Sequence, residues 1–144
     1  MKAQNEDNAF EASLNAISEN KIRELSPLSL AYIGDTVYDL YVRSFLVKNR
    51  MGSPQALHKQ ASALVNARAQ ALAANRVLPS LTEREAEIFR GGKNAKSTPP
   101  KNMTAADYKL ANALEAVLGY LYCIKDTARL EQLMRIIITA STED

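Results

Sequence analysis

Cysteine and histidine are nearly missing from this 144-residue chain, which has one of each, Cys123 and His58. A single cysteine excludes an internal disulfide and agrees with a reducing, cytoplasmic setting. One cysteine and one histidine together exclude a Cys/His zinc site within one chain. Long apolar runs are missing as well. None approaches the roughly 18 residues that a membrane-spanning helix needs, so no membrane partner is expected. The amino-terminal stretch MKAQNEDNAFEAS is polar and acidic, unlike a signal peptide. Strand-like alternation and internal repeats are also absent. What remains is an ordinary globular balance, 47% hydrophobic and 24% charged, at a length that suits one domain with a real core.

The net charge is only +2, but it is unevenly spread. Residues 1–40 carry three basic and seven acidic side chains, and residues 41–144 carry fifteen and nine. No acid lies between Glu87 and Asp107, whereas Arg90, Lys93, Lys96 and Lys101 all do. A local cationic segment on a nearly neutral protein points to an anionic partner there.

The patterning is helical almost throughout. Residues 1–20 read as a flexible, at most weakly helical segment, and residues 21–144 as a single all-α domain. Ser26-Pro27 pairs a capping serine with proline at the first helical position, and predicts a helix to about Val47. Gly52-Ser53-Pro54 repeats the device. Leu57, Ala61, Leu64, Val65, Arg68 and Leu72 then follow helical spacing, which predicts one helix from Gln55 to Asn75. Thr82 and Glu85 form a capping-box pattern for a short helix ending near Gly91-Gly92. GGKNAKSTPPKN, Gly91 to Asn102, reads as the one clear loop. Thr104 caps a helix to about Ile124, and Asp126 one to about Ala140.

Two of these helices carry misplaced acids. In LAYIGDTVYDLYV, Leu30 to Val42, a helix apolar on most faces holds Asp35 and Asp39. Such a helix is usually buried, so Asp35 is expected to be at least partly desolvated. In NALEAVLGYLY, Asn112 to Tyr122, Glu115 interrupts another apolar helix. A buried carboxylate needs a cation, a set of donors or a metal. Each acid has a glycine nearby, Gly34 and Gly119, and glycine inside a helix permits close backbone approach. If the helices cross there, Asp35 and Glu115 meet. A divalent oxygen-seeking ion such as Mg²⁺ would then relieve their repulsion. The competing expectation is that each acid pairs with an arginine such as Arg43 or Arg68. Asp107 reads as a first-turn acid that favours the helix dipole.

LAYIGDTVYDLYVRSFLV resembles the signature helix of the ribonuclease III catalytic domain. FRGGKNAKSTPPKN followed by NALEAVLGYLY is similar to the compact Mini-ribonuclease III subfamily, and the likeness spans about residues 25–140. The resemblance implies an all-helical, two-fold homodimer without a double-stranded-RNA-binding domain. It implies Mg²⁺-dependent cleavage of double-stranded RNA, with Mn²⁺ as a substitute ion and maturation of the 23S ribosomal RNA precursor as the task. Asp35 and Glu115 match the family's catalytic, metal-linked acids. Two further acids of full-length members are replaced by Ala31 and Asn112, which leaves the number of metal ions open. Asn112 remains a further candidate ligand through its amide oxygen, and Asp39, one turn after Asp35, is placed to support that residue.

Such a reaction needs no Ser, His or Cys nucleophile, and His58 receives no role. A-form RNA is recognised mainly through shape, phosphates and 2′-hydroxyls. Lys93, Asn94, Lys96, Ser97 and Lys101 therefore stand as the RNA-binding set. Two rival readings share the fold class: a non-catalytic double-stranded-RNA-binding module, and an all-helical dimerisation protein with buried Asp–Arg pairs.

Overall fold

The structure is a computed structural model and describes residues 2–49 and 52–143. Among the described residues eight α-helices follow one another: α1 (Lys2–Ser13), α2 (Glu19–Glu24), α3 (Pro27–Asn49), α4 (Pro54–Val65), α5 (Ala67–Val77), α6 (Glu83–Asn94), α7 (Ala105–Cys123) and α8 (Thr127–Glu143). A 3₁₀ turn, Leu78–Ser80, joins α5 to α6. No strand occurs among the described residues.

The axis of the molecule is α7. Every residue from Ala111 to Leu121 is buried, because α3, α5, α6 and α8 surround it. This is the expected place for a helix apolar on all sides. Its closest neighbour is α3. A Cβ added at Gly34 would lie 1.7 Å from the Glu115 carbonyl oxygen, and one at Gly119 would lie 1.9 Å from the Leu30 carbonyl oxygen. The two backbones therefore touch where both helices lack side chains.

Local capping chemistry sets most helix starts. Ser53 Oγ accepts from the Ala56 N–H at 3.1 Å, and Thr104 Oγ1 accepts from the Asp107 N–H at 3.1 Å. Asp126 Oδ1 accepts from the Arg129 N–H at 3.1 Å. Thr82 and Glu85 form the full reciprocal box, and Glu85 then receives two hydrogen bonds from Arg129 at 2.9 Å. Arg129 also donates to the Ser80 carbonyl, so this cluster ties α6 and the 3₁₀ turn to α8.

Four expectations from the sequence are corrected. The helix expected from Gln55 to Asn75 is two helices. Asn66 breaks it with an extended backbone (φ −72°, ψ 162°), closing α4 by donating to the Ser62 and Ala63 carbonyls and opening α5 by accepting from the Ala69 N–H. Next, α6 does not end at Gly91-Gly92 but runs to Asn94. A Cβ at Gly92 would lie 2.9 Å from the Asn112 carbonyl oxygen, so this glycine permits packing on α7 rather than a helix stop. Lys93 and Asn94 consequently sit on helix, not loop. The weakly helical start is a regular α1, although none of its residues is buried. Finally, α3 is buried on one side only. Leu30, Ala31, Val37, Tyr38, Val42 and Leu46 face inward, while Tyr32 is 83% exposed and Leu40 and Val47 also face outward.

Candidate active site

The crossing of α3 and α7 determines where the acids lie. Gly34 rests on the backbone of Glu115 itself, so the next residue, Asp35, emerges beside the Glu115 side chain. Asp35 stands within hydrogen-bonding reach of the Glu115 carboxyl. The two differ in burial. Glu115 is only 8% exposed, whereas Asp35 is exposed, which corrects the expectation that it is desolvated. A buried acid on a rigid helix thus faces a solvent-accessible one.

Burial pushes the Glu115 carboxyl up to about 9, and the adjacent Asp35 charge adds to this. The comparison with Glu85, the other buried acid, is informative. Burial alone would raise Glu85 too, but two hydrogen bonds from Arg129 and those of Thr82 hold it below the usual range. Glu115 has no such arginine. The two arginines that might have neutralised the pair are engaged elsewhere: Arg43 with Asp39 at 2.9 Å, and Arg68 with Asp107 at 3.4 Å. The fold brings two carboxyl groups together, and burial and Asp35, not a cation, govern the state of Glu115.

That donor set fits one kind of guest. Oxygen ligands at a semi-buried spot open to solvent suit a hard divalent cation that keeps several of its waters. Among the described residues no group of three or more His, Cys, Asp or Glu gathers around one point. The protein would therefore supply two carboxylates and leave the remaining positions to water and substrate. Asn112, buried one turn before Glu115 on α7, is the nearest further amide in sequence.

Behind the pair lies Tyr38, which periodicity did not single out, though its place three residues after Asp35 puts it on a neighbouring ridge. It is buried and its Oη donates to the Leu64 carbonyl at 2.9 Å. Burial first, and then the Glu115 charge, pushes its phenol up to about 12. Asp39 is half-buried and ion-paired with Arg43, on the outer side of α3. Asp107 lies in the first turn of α7 as expected. His58 is exposed on α4.

Lys93, Asn94, Lys96, Ser97 and Lys101 are all exposed. Three of them, Asn94, Lys96 and Ser97, line a polar cleft with Ala95, Thr98 and Lys109. Lys109 was missed because it follows Asp107, just past the acid-free stretch.

Known proteins resemble this chain over most of its length. The ribonuclease III domain family matches residues 28–126. A Mini-ribonuclease 3 from Staphylococcus aureus is 40% identical over 128 residues, covering 87% of this chain and 96% of that protein. One from Clostridium tetani is 36% identical over 128 residues, covering 88% of this chain and 85% of its own. The crystal structure of a protein from Fusobacterium nucleatum superposes with a TM-score of 0.74 at 32% identity, covering 83% of this chain and 97% of that one.

Proposed function

The chain belongs to the ribonuclease III family and is an endoribonuclease of double-stranded RNA, and we propose that it cuts with Mg²⁺ held between Asp35 and Glu115. The observation that carries this reading is the pairing of a buried and an exposed carboxyl group at a glycine-lined crossing, where burial and Asp35 together raise the Glu115 carboxyl. Bound there, the ion would acidify water and relieve charge on the phosphate. Mn²⁺ shares the same oxygen preference and would substitute.

The chain's own residues divide the work. Glu115 is fixed by the buried face of α7 and keeps its proton until a cation makes the ionised form favourable. Asp35, exposed on α3, is the acid that incoming solvent and phosphate reach. Asn112 offers an amide oxygen on the same face of α7. Tyr38 does not exchange a proton near neutrality, since its phenol is pushed up to about 12 and its Oη is committed to Leu64. It holds α4 against α3 behind the pair. Lys93, Asn94, Lys96, Ser97 and Lys101 contact the phosphates and sugars of the duplex, and Asp39 steadies α3 through Arg43.

In this reading the protein works as a two-fold homodimer in the cytoplasm, on the paired ends of the 23S ribosomal RNA precursor. Two strands require two cuts, which a symmetric pair provides. An apolar groove between α3 and α8, lined by Val37, Tyr41, Phe45, Met134 and Ile138 and flanked by exposed Leu40 and Tyr122, is the face a second copy would cover. Sedimentation across a dilution series should find a species of twice the 15.9 kDa chain mass; monomer at every concentration removes the dimer. The ribosomal substrate rests on the family resemblance of the motifs. No described helix is long and apolar enough to cross a membrane.

The deciding assay incubates long duplex RNA with the protein, with and without Mg²⁺, beside Asp35→Asn. Cleavage is expected only from the wild type with the ion. In the same assay, Lys93→Ala with Lys96→Ala should weaken binding and flatten its salt dependence by about two counterions, one for each lysine. Tight duplex binding without cleavage at any divalent ion would return the non-catalytic binding module.

A further inference from the structure

We infer that the cleft between the end of α6, the loop after it and the second turn of α7 is a phosphodiester-binding site, with Lys109 as its fixed cation. The inference deepens the duplex-RNA reading above and rests on it. The cleft holds about 500 Å³ and is lined by Asn94, Ala95, Lys96, Ser97, Thr98 and Lys109. All but Ala95 carry side-chain hydrogen-bond donors, and none carries a negative charge. The carboxylate of the nearby acid, Asp107, is paired with Arg68. No ion pair among the described residues involves Lys96 or Lys109. Two unneutralised ammonium groups on a cleft of neutral donors suit a phosphate.

Position on α7 links this cleft to the carboxylates. Lys109, Asn112 and Glu115 follow one another at intervals of three, and each step advances about 4.5 Å along a helix. Lys109 therefore stands about 9 Å along α7 from Glu115. A phosphate in the cleft therefore belongs to a nucleotide only a few positions from the one at the acids. The opposite wall is fixed to the same helix. At Gly92, two residues before Asn94, α6 packs so closely on α7 that an added Cβ would lie 2.9 Å from the Asn112 carbonyl oxygen. Lys96 lies on loop and can follow the strand. Lys109 is on the central helix and cannot move independently of Glu115. A phosphate contact of this kind carries no sequence information but fixes register. Lys109 is thus a positioning residue that sets which phosphate reaches Asp35 and Glu115.

The test uses the full-length protein and an end-labelled RNA duplex. Binding is measured without divalent ions over a range of salt, and cleavage with Mg²⁺. Lys109→Ala is expected to weaken binding about fivefold, the scale of one exposed charge contact. It should lower the salt slope by about one, raise KM more than it lowers kcat, and spread the cut positions along the strand. Lys109→Arg should restore affinity, slope and cut positions. Because Lys109 is exposed, melting temperature should not change in either variant. If the wild type binds and cuts duplex RNA while Lys109→Ala matches it in affinity, slope and cut positions, the cleft is overturned and the nuclease reading stands. If the wild type ignores duplex RNA, both fall together.

Discussion

Glu115→Gln is expected to abolish cleavage and, at the same time, to stabilise the metal-free protein. Glutamine keeps the size of the side chain and a carbonyl oxygen but removes the titratable charge. On the catalytic side, the variant loses an anionic ligand for the ion that would relieve charge on the phosphate, and losing such stabilisation costs on the order of 10³ in rate. On the stability side, the substitution removes a carboxyl group that the fold buries against another one. The Glu115 carboxyl, pushed up to about 9 in the fold, titrates near 4.5 in the unfolded chain. Between those values the folded protein holds a proton that the unfolded chain has released. Stability is then fully present below the unfolded value and is lost as pH rises toward the folded one. The metal-free wild type should accordingly lose up to about 1.4 kcal/mol per pH unit across neutrality.

Thermal melts in a chelator from about pH 5 to pH 8 would follow this. The wild type should fall steadily, and Glu115→Gln should fall much less. Adding Mg²⁺ should lift the wild-type melting temperature most at the alkaline end, where the carboxylate is easiest to ionise, and should leave the variant nearly unmoved. Equal pH slopes in the two proteins would show that Glu115 is already ionised, and the two-carboxylate argument would fail at its base. A cleaving Glu115→Gln variant would remove Glu115 from the metal set whatever its titration.

How far the sequence carries this picture depends on the range of each interaction. Starts governed by contacts within one turn were legible. Ser53, Thr82, Thr104 and Asp126 all cap as their residue types require. The acids were legible because a charged residue in an apolar helix is costly and therefore conspicuous. Features decided by distant packing were not. Asn66 sits in an alanine-rich stretch whose periodicity continues across it, and nothing local shows that its amide both ends α4 and opens α5. Gly92 looked like a helix terminator because its actual neighbour, the carbonyl of Asn112, is twenty residues away in the chain. The exposure of Asp35 was hidden for a similar reason. The outer face of α3 is apolar in composition, with Tyr32, Leu40 and Val47, yet among the described residues these side chains stay exposed.

Gly34→Ala should produce the largest loss of all, in both stability and cleavage. The added methyl group would sit 1.7 Å from the Glu115 carbonyl oxygen and 2.5 Å from its carbonyl carbon. Both obstructing atoms are backbone in the middle of the most buried helix, so no rotamer change can relieve the clash. The helices must separate instead, and α7 cannot retreat without disturbing α5, α6 and α8 around it. Overpacking that side chains can absorb costs about 1–3 kcal/mol. A clash between helix backbones should exceed that range and leave the domain unfolded or barely folded at 37 °C. Gly119→Ala should behave alike, since its methyl group would meet the Leu30 carbonyl oxygen at 1.9 Å. Gly52→Ala provides the control. Its nearest neighbour would be the Ala56 Cβ at 3.5 Å, an ordinary contact, and its melting temperature should stay close to wild type. Any Gly34→Ala protein that does fold should keep Asp35 and Glu115 farther apart. It should show a Glu115 carboxyl nearer its ordinary value, a flatter pH–stability profile and no cleavage. A stable, active Gly34→Ala enzyme would mean that α3 and α7 do not cross at these glycines, and the placement of the two acids would have to be abandoned with it.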